Sequence, residues 1–187
     1  MNKNGYTLIE VLAAVTIFFI TTASLVSFFT GAVKSQREAL ASQELIDNTS
    51  YSLEYMSRAL RMAKKDDIGS IDCLTGSKVN YELTRTGAGV KFRNYSNYCQ
   101  EFFLENGRLK EWKDVEGVIS ENYLTSENIE VTYFTIGPSS SWDQDDDEQP
   151  KLTIFMEIRG LLTNSTPTQP VVKIQTTISQ RNPDVRY

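Results

Sequence analysis

The sequence contains no histidine. That removes the commonest general base near neutral pH and the commonest metal ligand together. No Ser-His-Asp or Cys-His arrangement can be written, and no Ser-x-x-Lys occurs to support a histidine-free nucleophile. Cysteine is nearly absent: Cys73 and Cys99 are too few for a disulfide scaffold or a four-cysteine zinc site. Proline is scarce, 5 in 187 residues, and none falls between Tyr6 and Lys65, so nothing there forbids a long helix. A basic excess is also missing. The net charge of −5 argues against nucleic-acid binding by bulk charge. These absences point away from an enzyme and toward a structural or binding protein. An aromatic content of 11% and a charged content of 23% fit a folded chain with one ordinary core.

What is present is concentrated at the N-terminus. Val11 to Val33 is 23 residues without a charge, rich in Leu, Ile, Val, Phe and Ala. At about 1.5 Å rise per residue, roughly 20 helical residues cross a bilayer's hydrocarbon core, so this run is long enough to span it. Thr16, Thr21, Thr22, Ser24, Ser27 and Thr30 dilute it, but hydroxyls can bond back to carbonyls within the helix. Lys3 on the N-terminal side favours a cytoplasmic N-terminus. A secretory signal would have a shorter apolar core followed by a small-x-small cleavage site. A plain membrane anchor fits the length but gives no reason for Glu10, a carboxylate at the start of the apolar run. Such an acid usually has a partner or a task.

Gly5-Tyr6-Thr7-Leu8-Ile9-Glu10-Val11-Leu12 resembles the prepilin leader motif of type IV pilins and of the pseudopilins of type II secretion. The shared features are a short basic leader ending in glycine, an aromatic residue, T-L-I-E and a long apolar helix. The resemblance implies cleavage after Gly5 by a prepilin peptidase, N-methylation of Tyr6, and a role for Glu10 in assembly. Phenylalanine is the usual residue at the Tyr6 position. A freed amine on Tyr6 and the Glu10 carboxylate would be opposite charges in an apolar setting, tolerable mainly as a pair. Tyr6 and Glu10 are one turn apart if the helix begins at Tyr6. The family pattern instead pairs Glu10 with the amine of a neighbouring subunit.

Residues 34–65 are expected to continue the helix. Ile46, Thr49, Leu53, Met56, Leu60 and Ala63 recur at spacings of three and four, an amphipathic stripe for a domain core. Arg58, Arg61, Lys64 and Lys65 gather where positive charge suits a helix C-terminus. From Asp66 onward the pattern alternates. Val79-Tyr81-Leu83, Val90-Phe92, Ile129-Val131-Tyr133, Leu152 to Ile158 and Val172 to Ile178 read as half-buried strands. Asn106-Gly107 is a two-residue hairpin turn that would pair Leu104 with Leu109 and Glu105 with Arg108. The expected fold is α+β and pilin-like: a long N-terminal helix, transmembrane in its first half, packed on one C-terminal antiparallel sheet. The expected divisions are a leader (1–5), an assembly helix (6–33), an amphipathic helix (34–65) and a β-rich region (66–187) forming one domain with it.

The C-terminal pattern, Gln149-Pro150, Lys151 to Ile154 and Ile174 to Arg181, is similar to that of minor pilins and the larger, J-like minor pseudopilins. Three further sets carry possible chemistry. Asp143, Asp145 and Asp147 begin like a calcium loop, but Glu148 stands where an EF-hand needs glycine and Ile154 where it needs glutamate. Some pseudopilins bind calcium; a solvated acidic loop is the competing reading. Cys73 and Cys99 can bridge if the β-region lies outside the cytoplasm, or remain two buried thiols. Lys78, Arg85, Lys91 and Arg93 are the only basic cluster that could meet nucleic acid, against the acidic balance. The resemblance implies a minor pilin or pseudopilin. It would insert in the inner membrane with its C-terminal domain extracytoplasmic, then join a pilus or pseudopilus at or near the tip. Its partners would be other pilin subunits, the prepilin peptidase, an inner-membrane assembly platform and the membrane itself. The alternative is an anchored extracytoplasmic binding module that never polymerises.

Overall fold

The structure, a computed structural model, describes residues 5–65, 73–75, 78–143, 148–161 and 169–181. The chain divides into two compact units, Met1–Leu40 and Ala41–Tyr187. One helix, α1 (Leu8–Arg61), contributes its first part to one unit and its last part to the other.

In the first unit the helix has an apolar window of mean hydropathy 2.2, long enough to cross a membrane. Its large apolar side chains, among them Leu12, Phe18, Ile20, Leu25 and Phe29, are exposed within the chain. Apolar residues on every side of a helix call for lipid or other helices as their surroundings. Five of the six hydroxyls in this run bond back to helix carbonyls as expected. Thr16 donates to the Ala13 carbonyl at 2.8 Å, Thr22 to Phe18 at 2.8 Å, Ser24 to Ile20 at 2.9 Å and Thr30 to Ser27 at 2.9 Å.

In the second unit α1 buries Leu45, Thr49, Ser52, Met56 and Leu60. The expected stripe is therefore displaced at its start: Leu45 is inside and Ile46 is 50% exposed, a turn of about 100° away. Two polar residues sit in this stripe because their hydroxyls have partners. Thr49 donates to the Leu45 carbonyl, and Ser52 to the Leu124 carbonyl at 2.7 Å. The helix ends at Arg61, short of the expected Lys65, and its last carbonyls are taken by the β-region. Tyr81 Oη donates to Leu60, the Arg181 amide to Arg61 and Gln180 Nε2 to Ala63, each at 2.8 Å. That disposes of groups a helix C-terminus otherwise leaves unpaired.

The β-region forms two antiparallel sheets, not the single one expected. The first is a meander of β1 (Tyr81–Thr84), β2 (Gly89–Arg93), β3 (Cys99–Glu105), β4 (Arg108–Val115) and β5 (Val118–Tyr123). The second comprises β6 (Ile129–Gly137), β7 (Lys151–Gly160) and β8 (Val171–Ser179). The break follows β5, where Leu124 donates back to Leu109, Thr125 Oγ1 accepts from the Leu109 amide, and Ile129 N–H closes a turn onto Ser126. The Asn106-Gly107 hairpin has the expected register, Leu104 opposite Leu109 and Glu105 opposite Arg108. A second turn of the same kind, Glu116-Gly117, joins β4 to β5; both its residues have positive φ, 54° and 87°.

Tyr133 does not share a face with Ile129 and Val131. A bulge between Val131 and Tyr133 turns Tyr133 outward, 55% exposed, and sends Phe134 and Ile136 inward. Val79 likewise lies outside β1, and Leu83 is largely exposed. The core joins the helix stripe to Tyr81, Val90, Phe92, Phe102, Leu109 and the inward rows of both sheets. Tyr81, Phe92, Phe102 and Trp142 pack as an aromatic group with centroids 5.5–6.4 Å apart.

Candidate functional site

The N-terminal segment is built from its residues outward. Gly5 and Tyr6 are exposed and precede the helix. Helix begins at Leu8 because Thr7 caps it: the Glu10 amide lies 3.4 Å from Thr7 Oγ1 and donates to the Thr7 carbonyl at 3.1 Å. Thr7-Leu8-Ile9-Glu10 is thus a capping-box sequence, with the acid in the first turn where the helix dipole favours it. This corrects the expectation of helix from Tyr6, so Tyr6 and Glu10 are not successive-turn neighbours. Among the described residues the Glu10 carboxylate makes no ion pair. Tyr6 stands one residue outside a capped helix, and one turn inside it lies an acid with no ion pair among the described residues.

The other expected residues are dispersed. Cys73 and Cys99 are joined, their Cα atoms 5.4 Å apart, in a small buried cluster with Leu74, packed by Val79 and Trp112. Asp143 forms a backbone bridge with Val79, while Asp145 and Asp147 lie outside the described residues. No group of three or more potential metal-ligating side chains occurs among the described residues. The basic candidates do not form a patch. Arg85 covers the Phe103 ring at 3.7 Å and pairs with Glu101 and Glu105, Lys91 lies over Trp112, and Arg93 is buried.

One constellation has no counterpart in the sequence reading. Glu111, 4% exposed, accepts from Tyr55 Oη and Gln100 Nε2 at 2.6 Å each and from Lys113 Nζ at 2.9 Å. Lys113 also donates to Tyr55 Oη at 2.8 Å, and Asn94 Nδ2 to Gln100 Oε1 at 3.1 Å. Burial, then the hydrogen bond to Glu111, raises the Tyr55 pKa above its ordinary value. Lys113 is also raised: desolvation lowers it, but the hydrogen bonds to Tyr55 and Glu111 together prevail. The legible signal was Glu111 alternating with Leu109 on the inward face of β4.

A long apolar N-terminal helix leading into an antiparallel β domain defines a pilin-like α+β protein. The family description "prokaryotic N-terminal methylation motif" matches residues 1–26. The chain thus carries the prepilin-type N-terminal methylation motif of type IV pilins and pseudopilins, at the head of a helix long and apolar enough to cross a membrane and ahead of a C-terminal antiparallel β domain. Comparison with curated proteins and with solved structures finds no match.

Proposed function

We propose that this protein is a minor pilin or pseudopilin, processed between Gly5 and Tyr6, methylated on Tyr6, and built through its helix into a filament at or near the tip. The observation that carries the reading is the junction itself: exposed Gly5-Tyr6 directly before a helix capped by Thr7, with Glu10 making no ion pair among the described residues. An exposed dipeptide outside the helix is what a peptidase needs to reach, and a helix that starts after it survives the cut. Glu10 is then available to the new amine of a neighbouring subunit. Prepilin peptidase and an inner-membrane assembly platform are the implied partners. The strand pattern from Gln149 to Arg181 supports the minor, J-like assignment.

Intact-mass and N-terminal peptide analysis of protein from its native envelope tests the processing. The expected result is loss of Met1 to Gly5 and one added methyl on Tyr6. An intact N-terminus would leave a simple anchored protein.

The Cys73–Cys99 bridge belongs to the same reading, since an extracytoplasmic domain can hold one. It closes a sequence separation of 26, for which chain entropy gives about 3.5 kcal/mol of stabilisation. Cys73→Ser with Cys99→Ser should lower the denaturation midpoint of the full chain in detergent accordingly. Equal midpoints for the two proteins would show that the thiols are unpaired in use.

A further inference from the structure

The sheet edges are not alike. β1 is only four residues long and stops at the 3-10 turn Arg85–Gly87. β6 lies against the Asn106-Gly107 turn, whose Gly107 carbonyl accepts from the Val131 amide at 2.8 Å. β8 follows Pro170 and carries Lys173, paired with Glu157 at 2.8 Å. Shortness, cover, proline and lysine are the usual means by which sheets keep their edges from pairing with other chains.

β5 has none of these. It reads Val-Ile-Ser-Glu-Asn-Tyr, and its one charge, Glu121, lies 3.8 Å from Lys110 on β4. Val118, Ile119 and Tyr123 are 70%, 62% and 56% exposed, the densest group of exposed apolar side chains in the β-region's first sheet. The backbone is open as well. The two-residue turn Glu116-Gly117 makes Val115 and Val118 a bond-exchanging pair, followed by Lys113 with Ser120 and Glu111 with Asn122. The Leu124 amide donating to Leu109 at 2.9 Å keeps that alternation. The amides and carbonyls of Ile119, Glu121 and Tyr123 therefore point away from β4, toward the open edge.

We infer that β5 is a docking edge on which an extended segment of a neighbouring filament subunit adds a strand. A row of alternating donors and acceptors is matched by extended backbone and by nothing else of that shape, which fixes the occupant's chemistry. Val118 on one face and Ile119 and Tyr123 on the other give the added strand apolar neighbours on both sides. The inference rests on the filament reading above, because assembly holds such a segment at high effective concentration.

The test uses the full-length protein in its native envelope, with a photoreactive amino acid in place of Asn122 and, separately, in place of Leu12 as an independent reporter of helix assembly. Both positions should crosslink to another subunit. Glu121→Pro removes one outward amide and leaves the bonds to β4, and should cut the position 122 crosslink on the order of tenfold while sparing the position 12 crosslink. Ile119→Lys should do the same without altering the backbone, and Glu121→Ala should change neither crosslink. A helix crosslink without one from position 122, or a position 122 crosslink that survives both edge variants, overturns strand addition and leaves the filament reading intact. Absence of both crosslinks removes the filament reading, and the docking edge with it.

Discussion

Glu10→Gln is expected to lower incorporation into filaments on the order of tenfold or more while leaving membrane insertion and the start of the helix unchanged. The structure gives Glu10 two separable tasks. As the third helical residue after Thr7 it sits where a capping box accepts glutamate or glutamine alike. As a carboxylate at the head of an apolar helix it needs a cation, and none is paired with it among the described residues of its own chain. Glutamine preserves the first task and removes the second. Glu10→Ala removes both and should lose incorporation equally, with added fraying of the first turn. The measurement is the ratio of this protein in sheared filaments to that in membranes. Normal incorporation of the glutamine variant would mean that capping is the whole role of Glu10. Normal incorporation of both variants would mean that Glu10 has no part in assembly, whereas absence of the unaltered protein from the filament fraction would favour an anchored module that does not polymerise.

Glu111→Ala is expected to destabilise the C-terminal domain by about 2–3 kcal/mol, because it takes the carboxylate from the half-buried Lys113 and strips a charged acceptor from Tyr55 and Gln100. For a chain of this size that is a fall of roughly 5–10 °C in melting temperature. Tyr55→Phe, which keeps the ring against Phe102 at 6.0 Å and removes only the hydroxyl, should cost about 1 kcal/mol. Thermal melts of the full chain in detergent separate the two. Equal losses would show that the Tyr55–Glu111 hydrogen bond accounts for the whole contribution of the carboxylate, with Gln100 and Lys113 adding nothing. A Glu111→Leu variant should recover part of the loss if Lys113 can turn outward to water, since replacing a buried charge by apolar volume is often close to neutral.

The sequence by itself determined the features whose causes are local. A run of uncharged residues is membrane-length whatever it packs against, and T-L-I-E caps a helix through bonds spanning three residues. Asn106-Gly107 fixes its hairpin register because the turn dictates which residues face each other. The long helix, the antiparallel strands and the processing motif were legible for that reason. Tertiary structure decided what depends on distant partners. Ile46 lost its place in the stripe to Leu45 because the buried face is set by what lies beneath it, and the Ser52 hydroxyl is tolerable there only through Leu124, 72 positions away. The bulge before Tyr133 shifts one strand by a residue and reverses its faces, which an alternating pattern cannot reveal. β5 was missed because its residues are exposed on both faces, so no burial period marks it. Glu111, read alone, is an ordinary surface acid in a strand. It becomes a buried joint only when the fold brings Tyr55 from the helix, Gln100 from β3 and Lys113 from its own strand to the same carboxylate.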